Sequence, residues 1–413
     1  MKIENQRVID DVIDNIVIAP TSTTHIELAT KIAERTLGIR DLDLTYHSMD
    51  PRRFTVGEFC PKFIFHPGQE QTLKGKSVYI VMNPGPYKDQ EGLVKRAEMV
   101  AEAARIHNAR KIVLLTTDLP HARQDRGPDE DPKAIGELNT VRLHARTFEA
   151  AGIEQIITTH PHSPRLAALY ALEYGLTPKE LLPEHMRNAR PRDLRVPKHF
   201  DANDLGMQEL GKSVFKGINP YSILADYMLF HSWLAQTEAG KQFLKDGGAR
   251  LALKALDKGN LPGRDFLYEA LFLPNAVKIN CEKAREAKND PNKVEVPIVW
   301  VSDNFVTLDG MCEILADDGA DTCGTLIKSS RWSDEGNVCA ETGKPYGSPE
   351  ERFVYFTHAW LGGESYQSVQ AKLVKELPAR EFVTTNSRPY ISDGQYYRFK
   401  GKSTVLRLAG VWA

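Results

Sequence analysis

The chain has 413 residues, of which 41% are hydrophobic and 26% charged, and this length suits two α/β domains better than one core. Lys and Arg (53) nearly balance Asp and Glu (55), and a net charge of -2 gives no support for a nucleic-acid or anionic-membrane partner. Five scattered cysteines without a Cys-x-x-Cys pair favour a reduced cytoplasm over a disulfide framework or zinc site, and we see neither a secretory signal nor an apolar run of ~20 residues that could span a membrane.

Short apolar runs alternate with helical patterns through the first part of the chain. Strands are predicted at residues 15–19, 77–82, 111–116 and 155–159, and helices at 25–37, 93–107 and 139–151. Because the strands are continuously apolar and helices separate them, the pattern predicts a parallel sheet covered on both faces. We therefore expect an α/β domain over residues 1–176.

The pattern breaks down and then returns in the rest of the chain. Residues 177–217 are rich in Pro, Arg and Asp and predict an inserted, mostly irregular segment. A second α/β domain, 218–413, is expected to follow, with a further insertion at 331–351. Its predicted elements are a helix at 223–237 and strands at 276–279, 298–301, 312–316, 353–357, 381–384 and 404–408.

The most informative segment is an apolar strand that runs into two acids, a turn of small residues and a new helix, residues 313–328. Backbone N–H groups at a helix N-terminus, with the hydroxyls of Thr322 and Thr325, suit a phosphate monoester. Gly324 would let the backbone approach the anion closely. Asp317 and Asp318 can accept hydrogen bonds from vicinal sugar hydroxyls. The motif predicts a sugar-phosphate site, although an ordinary capped strand-to-helix turn is the alternative.

The sequence DDGADTCGT at 317–325 closely resembles the ribose-5-phosphate loop of ribose-phosphate diphosphokinases, the PRPP synthetases. The resemblance covers most of the chain and is interrupted at the two insertions. It implies two phosphoribosyltransferase-like domains, each with a mainly parallel sheet flanked by helices. It also implies transfer of the β,γ-pyrophosphoryl group of Mg·ATP to the anomeric hydroxyl of ribose 5-phosphate. The ribose-phosphate-binding residues would be Asp317, Asp318, Gly319, Ala320, Asp321, Thr322, Cys323, Gly324 and Thr325.

Two segments of the first domain resemble the nucleotide contacts of this family. Residues 53–58 (RFTVGE) resemble its adenine loop, but Val56 stands where the family has a polar residue. Residues 121–126 (HARQDR) resemble its Y-A-R-Q-D-[RK] motif, in which the planar donor fork of Arg suits phosphate oxygens. The ATP-binding residues implied are Phe54, Glu58, Arg123, Gln124 and Asp125.

Two further resemblances imply groups near Mg²⁺. Residues 156–163 (IITTHPHS) resemble a strand that ends in D-L-H-A in the family, so His162 would take the metal-associated position and His160 replaces an acid. Residues 245–250 (KDGGAR) resemble a shortened D-x-G-G-x-x-R turn, in which Asp246 would be the second metal-associated group. The alternative for that turn is a helix C-cap made by Gly247 and Gly248.

The resemblance places catalysis on a mobile loop. Residues 281–285 (CEKAR) resemble its K-x-R motif, which makes Lys283 and Arg285 the expected catalytic residues, and the charged stretch 286–293 would form an exposed flap. Residues 356–359 and 383–389 resemble architectural segments of the family. By this resemblance we expect the chain to lack the closing helix and tail that follow the last strand in the family, and with them the usual contacts of the homo-oligomer that the resemblance implies.

Three alternatives remain at this level. The same chemistry on a larger ribosyl phosphate such as ADP-ribose is compatible with the phosphate loop, because both acceptors present the same ribose and phosphate. A non-catalytic, PRPP synthetase-associated regulatory subunit is disfavoured by the presence of Lys283 and Arg285. A phosphoribosyltransferase is weaker still, because it would need no ATP motif.

Overall fold

The computed structural model describes residues 16–21, 28–30, 32, 55–56, 58–63, 65, 72–84, 90–127, 135–176, 201–285, 294–301, 307–334, 338, 343, 345–362, 366–387 and 403–406. The chain divides into two compact units, one that ends at residue 218 and one that spans residues 219–411. Each unit has its own sheet. No helix in the described ranges is both long and apolar enough to cross a membrane.

The first unit contains a five-stranded, all-parallel sheet in the order β1-β2-β3-β4-β5. Its strands are β1 (Ile16–Pro20), β2 (Ser77–Met82), β3 (Lys111–Thr116), β4 (Gln155–Thr159) and β5 (Phe215–Ile218). Its helices are α1 (Gln90–Ile106), α2 (Thr140–Ala150), α3 (Arg165–Glu173) and α4 (Leu205–Gly211). Strands β1 to β4 are largely buried, as expected where helices cover both faces of a parallel sheet. Of the predicted helix 25–37, residues 28–30 and 32 are helical and the others lie outside the described residues.

The described end of the first predicted insertion differs from the irregular segment that we expected. Residues 205–211 form α4, which is capped by Asp204, and residues 215–218 form the fifth strand of the sheet. Gly211 lies against α3 so closely that a Cβ there would be 1.9 Å from the carbonyl oxygen of Ala167. The strand is only four residues long and half of it is exposed, so its sequence carries no apolar run to predict it. Residues 177–200 lie outside the described residues.

The second unit contains a seven-stranded sheet in the order β12-β11-β10-β9-β6-β7-β8. All neighbouring pairs are parallel except β7 and β8. Its strands are β6 (Leu251–Ala255), β7 (Val277–Arg285), β8 (Val294–Val301), β9 (Cys312–Ala320), β10 (Glu351–Ala359), β11 (Glu381–Thr385) and β12 (Ser403–Leu406). Its helices are α5 (Tyr221–Phe230), α6 (Trp233–Gln236), α7 (Glu238–Gly248), α8 (Leu261–Ala270), α9 (Gly324–Asp334) and α10 (Tyr366–Glu376).

Two details of the second unit correct the sequence interpretation. The helix expected at 223–237 is two helices, because the chain turns at His231 and Ser232. Strand β6 was not predicted, because Lys254 interrupts its apolar run, yet it lies at the centre of the sheet. Of the second predicted insertion, 331–351, the first residues belong to α9, and Val338 bridges Pro345 farther along.

The chain order of the second sheet reverses between β6 and β9. From β6 the chain passes to β7 and β8 on one side, and then to β9 and β10 on the other. Ligands of open α/β sheets collect at the carboxyl ends of the strands at such a switch point. The two strands at this point are those that precede Asp257 and contain Asp317.

Candidate functional site

Strand β9 is longer than its neighbour β6 at the carboxyl edge of the second sheet. The last parallel pair with β6 is Ala255↔Ala316, whereas pairing with β10 continues to Ala320↔Ala359. The backbone from Asp317 to Ala320 therefore projects past the end of β6. This difference in length puts Asp317 and Asp318 beside the loop that follows β6. Both acids belong to the predicted sugar-phosphate motif, residues 317–325, which we call the phosphate motif.

That loop contributes two residues that sequence reasoning missed. The side-chain amide of Asn260 donates to Asp317 Oδ1 at 2.6 Å, and the backbone N–H of Asp318 donates to the same oxygen at 3.0 Å. Asp257 Oδ1 in turn accepts from the backbone N–H of Asn260 at 3.2 Å. Asp317 is buried, while Asp318 is partly exposed. An acid directly after an apolar run, the same signal as in β9, could have identified Asp257.

The phosphate motif forms a close turn from the end of β9 into α9. Cys323 has a left-handed φ of 59° and α9 begins at the next residue, Gly324. Thr322 and Thr325 are half-buried on either side. Burial raises the pKa of the Cys323 thiol to about 12, so this cysteine is no nucleophile at neutral pH. A helix N-terminus with two hydroxyls beside it is suited to hold a phosphate.

A tryptophan closes one side of this motif. A Cβ on Gly319 would lie 2.2 Å from Trp360 Cζ3, so only glycine fits there. The Trp360 ring stacks on His358 with centroids 5.5 Å apart. The next residues continue the contact, since the Leu361 N–H donates to the Ala320 carbonyl at 2.7 Å. The segment after β10 therefore packs against residues 319–320 of this motif.

Lys283 and Arg285 lie in a strand, not in the loop that we expected. Strand β7 continues through Arg285 because β8 pairs with it antiparallel as far as Arg285↔Val294, with a register shift between Glu282 and Ala284. Its pairing with β6 ends earlier, at Ala255↔Asn280. Strands β7 and β9 thus both extend beyond β6 at the same sheet edge. The expected flap at 286–293 lies outside the described residues.

Asp246 lies elsewhere. It is in the turn that ends α7, with φ at 53°, and its carbonyl accepts from Asn275 Nδ2 at 2.7 Å. The turn precedes β6, whereas Asp317 lies beyond the other end of that strand. A five-residue strand spans about 16 Å. The structure does not bring Asp246 to the phosphate motif, and positive φ values at Gly247 and Gly248 match a helix C-cap.

In the first unit, the predicted nucleotide motif follows β3. Arg123 and Gln124 are exposed, and the Thr140 hydroxyl donates to Gln124 Oε1. Asp125 is buried and its carboxylate lies 3.4 Å from Arg165 Nε. Asp125 therefore forms a structural ion pair with Arg165. We had predicted from the sequence that Asp125 binds ATP, and this structural contact could not be foreseen. Glu58 is exposed, and Phe54 lies outside the described residues.

His162 follows the neighbouring strand, β4, at the same edge of the first sheet. It is exposed, and it comes two residues after His160, whose backbone N–H donates to the Ile218 carbonyl at 2.8 Å. The structure therefore brings the segments that contain Arg123 and His162 to one edge. No group of three or more possible metal ligands occurs within the described parts of the chain.

The first residue of the predicted nucleotide motif, His121, pairs with a second histidine, His144, which we did not predict from the sequence. The His121 and His144 rings meet edge to face with centroids 5.0 Å apart, and His121 Nε2 lies 3.5 Å from a Glu91 carboxylate oxygen. Burial, assisted by the nearby His121, lowers the pKa of His144 to about 4. His144 is therefore neutral at physiological pH and packs under the turn.

Comparison with known proteins agrees with this architecture. No family model matches the chain. It is 24% identical to ribose-phosphate pyrophosphokinase 2 of Schizosaccharomyces pombe over 368 residues. The aligned region covers 89% of this chain and 84% of that protein. It also superposes on the crystal structure of phosphoribosylpyrophosphate synthetase from Mycobacterium smegmatis, with a TM-score of 0.58, 17% identity and 96% of each chain covered. In sequence motif, in fold and in sequence over most of its length, the chain is therefore similar to PRPP synthetases.

Proposed function

We propose that this protein transfers the β,γ-pyrophosphoryl group of ATP to the anomeric hydroxyl of ribose 5-phosphate, giving PRPP and AMP. One observation carries the proposal: the short strand β6 lies between two longer strands, β7 and β9, at the switch point of the second sheet. The backbone of Lys283 and Arg285 and the acids of the phosphate motif therefore extend from one sheet edge. Charge neutralisation and acceptor binding are the two needs of phosphoryl transfer, and both have candidate residues there.

On the acceptor side, the motif at 317–325 would bind ribose 5-phosphate. The N-terminus of α9, with Thr322 and Thr325, would hold the 5-phosphate. Asp317 and Asp318 would accept hydrogen bonds from the ribose hydroxyls, with Asp317 fixed by its bond from Asn260. Burial raises the pKa of the Cys323 thiol, so this cysteine of the motif is not assigned a nucleophilic role.

On the nucleotide side, exposed Arg123 and Gln124 would contact ATP, and Phe54 and Glu58 would contact its base. The guanidinium of Arg123 can pair with phosphate oxygens or stack on a base, and its exposure leaves it accessible to a ligand. Lys283 and Arg285 would neutralise the charge that develops on the transferred group.

The residues present fit a magnesium ion that is held mainly by substrate. Mg²⁺ prefers oxygen ligands, keeps several waters and is commonly bound by one or two carboxylates plus substrate phosphates. The Asp257 carboxylate lies near Asp317, because Asn260 donates hydrogen bonds to both. In the first unit, His162 could contact a water that is bound to the ion. When bound, the ion would neutralise phosphate charge. Asp257 is better placed for this role than Asp246, which lies beyond the opposite end of β6.

A product assay by mass spectrometry tests the proposal. Protein, ATP and Mg²⁺ would be incubated with ribose 5-phosphate or with ADP-ribose, and the double variant K283A/R285A serves as the control. AMP and PRPP from ribose 5-phosphate, absent with the variant, are expected. If pyrophosphorylated ADP-ribose is the only product, the acceptor is a larger ribosyl phosphate and not ribose 5-phosphate. Absence of AMP from both reactions would contradict an enzymatic role and favour a regulatory subunit. Homo-oligomeric assembly and a cytoplasmic location stay predictions.

A further inference from the structure

A group of buried charges lies beneath helix α9, away from the sugar-phosphate motif itself. Lys254 of β6, Glu313 of β9 and Arg352 of β10 come from three adjacent strands of the second sheet and are almost fully buried. Glu313 and Arg352 are direct partners in the β9–β10 register. We call these three residues the strand charge group.

The strand charge group is paired internally. Glu313 Oε1 accepts from Lys254 Nζ at 2.9 Å, and Glu313 Oε2 accepts from Arg352 Nε at 2.8 Å. Burial by itself would raise the pKa of the Glu313 carboxyl, but Lys254 and Arg352 outweigh it and hold that pKa below its usual value. The carboxylate is thus ionised and bridges two cations within the sheet.

Both cations also bond to α9. Lys254 Nζ donates to the Ser329 carbonyl at 2.6 Å, and Arg352 Nη2 donates to the Ser330 carbonyl at 3.3 Å. Arg352 Nη2 also pairs with Asp334 at the end of the helix, at 2.6 Å. Cations near the C-terminal half of a helix interact favourably with its dipole. The second half of the helix is therefore bonded to two strands, β6 and β10.

Helix α9 begins at the other end with the phosphate motif. Its first residue, Gly324, is five residues before Ser329, which corresponds to about 7.5 Å along the axis. Bonds to fixed carbonyls limit both sliding and rotation of the helix, whereas apolar packing alone would restrain them less. Buried ion pairs seldom stabilise more than apolar residues of equal volume would, so a gain in stability is a weak explanation for this group.

We propose that the strand charge group fixes the position of α9 along its axis and its rotation about that axis. It thereby orients the backbone amides of the phosphate motif toward the 5-phosphate of the acceptor. The inference rests on the proposed function for its ligand, but the order of α9 can be measured without turnover. None of the three side chains is needed as a substrate contact. They act through the helix.

The test replaces the charges with apolar residues in the triple variant K254M/E313L/R352M. Hydrogen–deuterium exchange of the full chain is compared with that of the parent, and binding of ribose 5-phosphate and of ATP is measured by calorimetry. R331Q is the matched control, because Arg331 lies on the same helix and forms an exposed ion pair with Glu376. The variant K254M/E313L, which removes one helix bond and leaves Arg352 paired with Asp334, gives a second measurement if the triple variant fails to fold.

We expect exchange at 327–334, the hydrogen-bonded amides of α9, to increase about tenfold in the triple variant, with that of β9 and β10 unchanged and the melting temperature nearly kept. Affinity for ribose 5-phosphate should fall about tenfold, because a small misplacement of binding groups is costly, while that for ATP stays the same. K254M/E313L should give a smaller change in the same amides. Unchanged exchange at 327–334, or an equal rise across the unit, would overturn the inference. If the parent binds ribose 5-phosphate but forms no AMP, the proposed function fails and the positioning inference stands.

Discussion

Asn260 donates from its side-chain amide to Asp317 at 2.6 Å, across the boundary where the strand order of the second sheet reverses. Their separation of 57 residues in sequence means that only the fold brings them together. The bond fixes one oxygen of a buried carboxylate that we assign to the ribose hydroxyls.

The variant Asn260→Leu should weaken both stability and acceptor binding. A hydrogen bond to a charged group contributes about 1.5–3 kcal/mol, and the buried Asp317 carboxylate would lose one of the two donors to its Oδ1, keeping only the Asp318 N–H. Chemical denaturation and calorimetry with ribose 5-phosphate measure the two effects. Asn275→Leu, at the opposite end of β6, is the control and should leave ribose 5-phosphate affinity as it is. Equal affinities in N260L and parent would contradict the assignment of Asp317.

Asp125 and Arg123 should behave differently although they are two residues apart. Asp125→Ala leaves the buried Arg165 guanidinium without its carboxylate, and we expect a loss of about 3 kcal/mol in the unfolding free energy of the first unit. Arg123→Ala, at an exposed position, should leave stability unchanged but raise KM for ATP about tenfold. Thermal denaturation and initial rates distinguish the two. A stable D125A variant with a raised KM for ATP would instead make Asp125 a direct contact.

His144 should make the first unit less stable in mild acid. Its pKa is lowered from 6.5 to about 4, mainly by burial and next by His121. Between these values the unfolded chain binds a proton that the folded chain does not, so stability falls as pH drops from about 6.5 to about 4, by on the order of 3 kcal/mol. His144→Leu should flatten this part of the pH profile of unfolding free energy. His107→Gln, in the same unit, retains His144 and should keep the parent slope.

Lys283 and Arg285 should affect turnover more than binding. If they neutralise charge that develops only in the transition state, the double variant K283A/R285A should lose about 100-fold or more in kcat with little change in affinity for ribose 5-phosphate. Initial rates and calorimetry measure the two quantities. Lys241→Ala, on the exposed face of α7, is the control and should keep the parent kcat. A rise in KM alone would reassign the pair to ground-state binding.

The sequence by itself determined the elements whose signal is local. The runs rich in apolar and β-branched residues at 77–82, 111–116 and 155–159 are strands at the predicted residues, because a strand buried on both faces favours such side chains on both. The motif at 317–325 carries its small residues, acids and hydroxyls in one stretch, so its phosphate-binding interpretation needed no distant partner.

Only the tertiary structure decided what depends on distant partners. Strand β6 was hidden because it contains Lys254, whose charge can be buried because Glu313, 59 residues away on the neighbouring strand, pairs with it. The hydrogen bonds that join Asp257, Asn260 and Asp317 were missed for the same reason. Asp246, which a local motif predicted, lies at the other edge of the sheet. A burial pattern can be read from consecutive residues, but the partner that makes a buried charge tolerable is chosen by the fold.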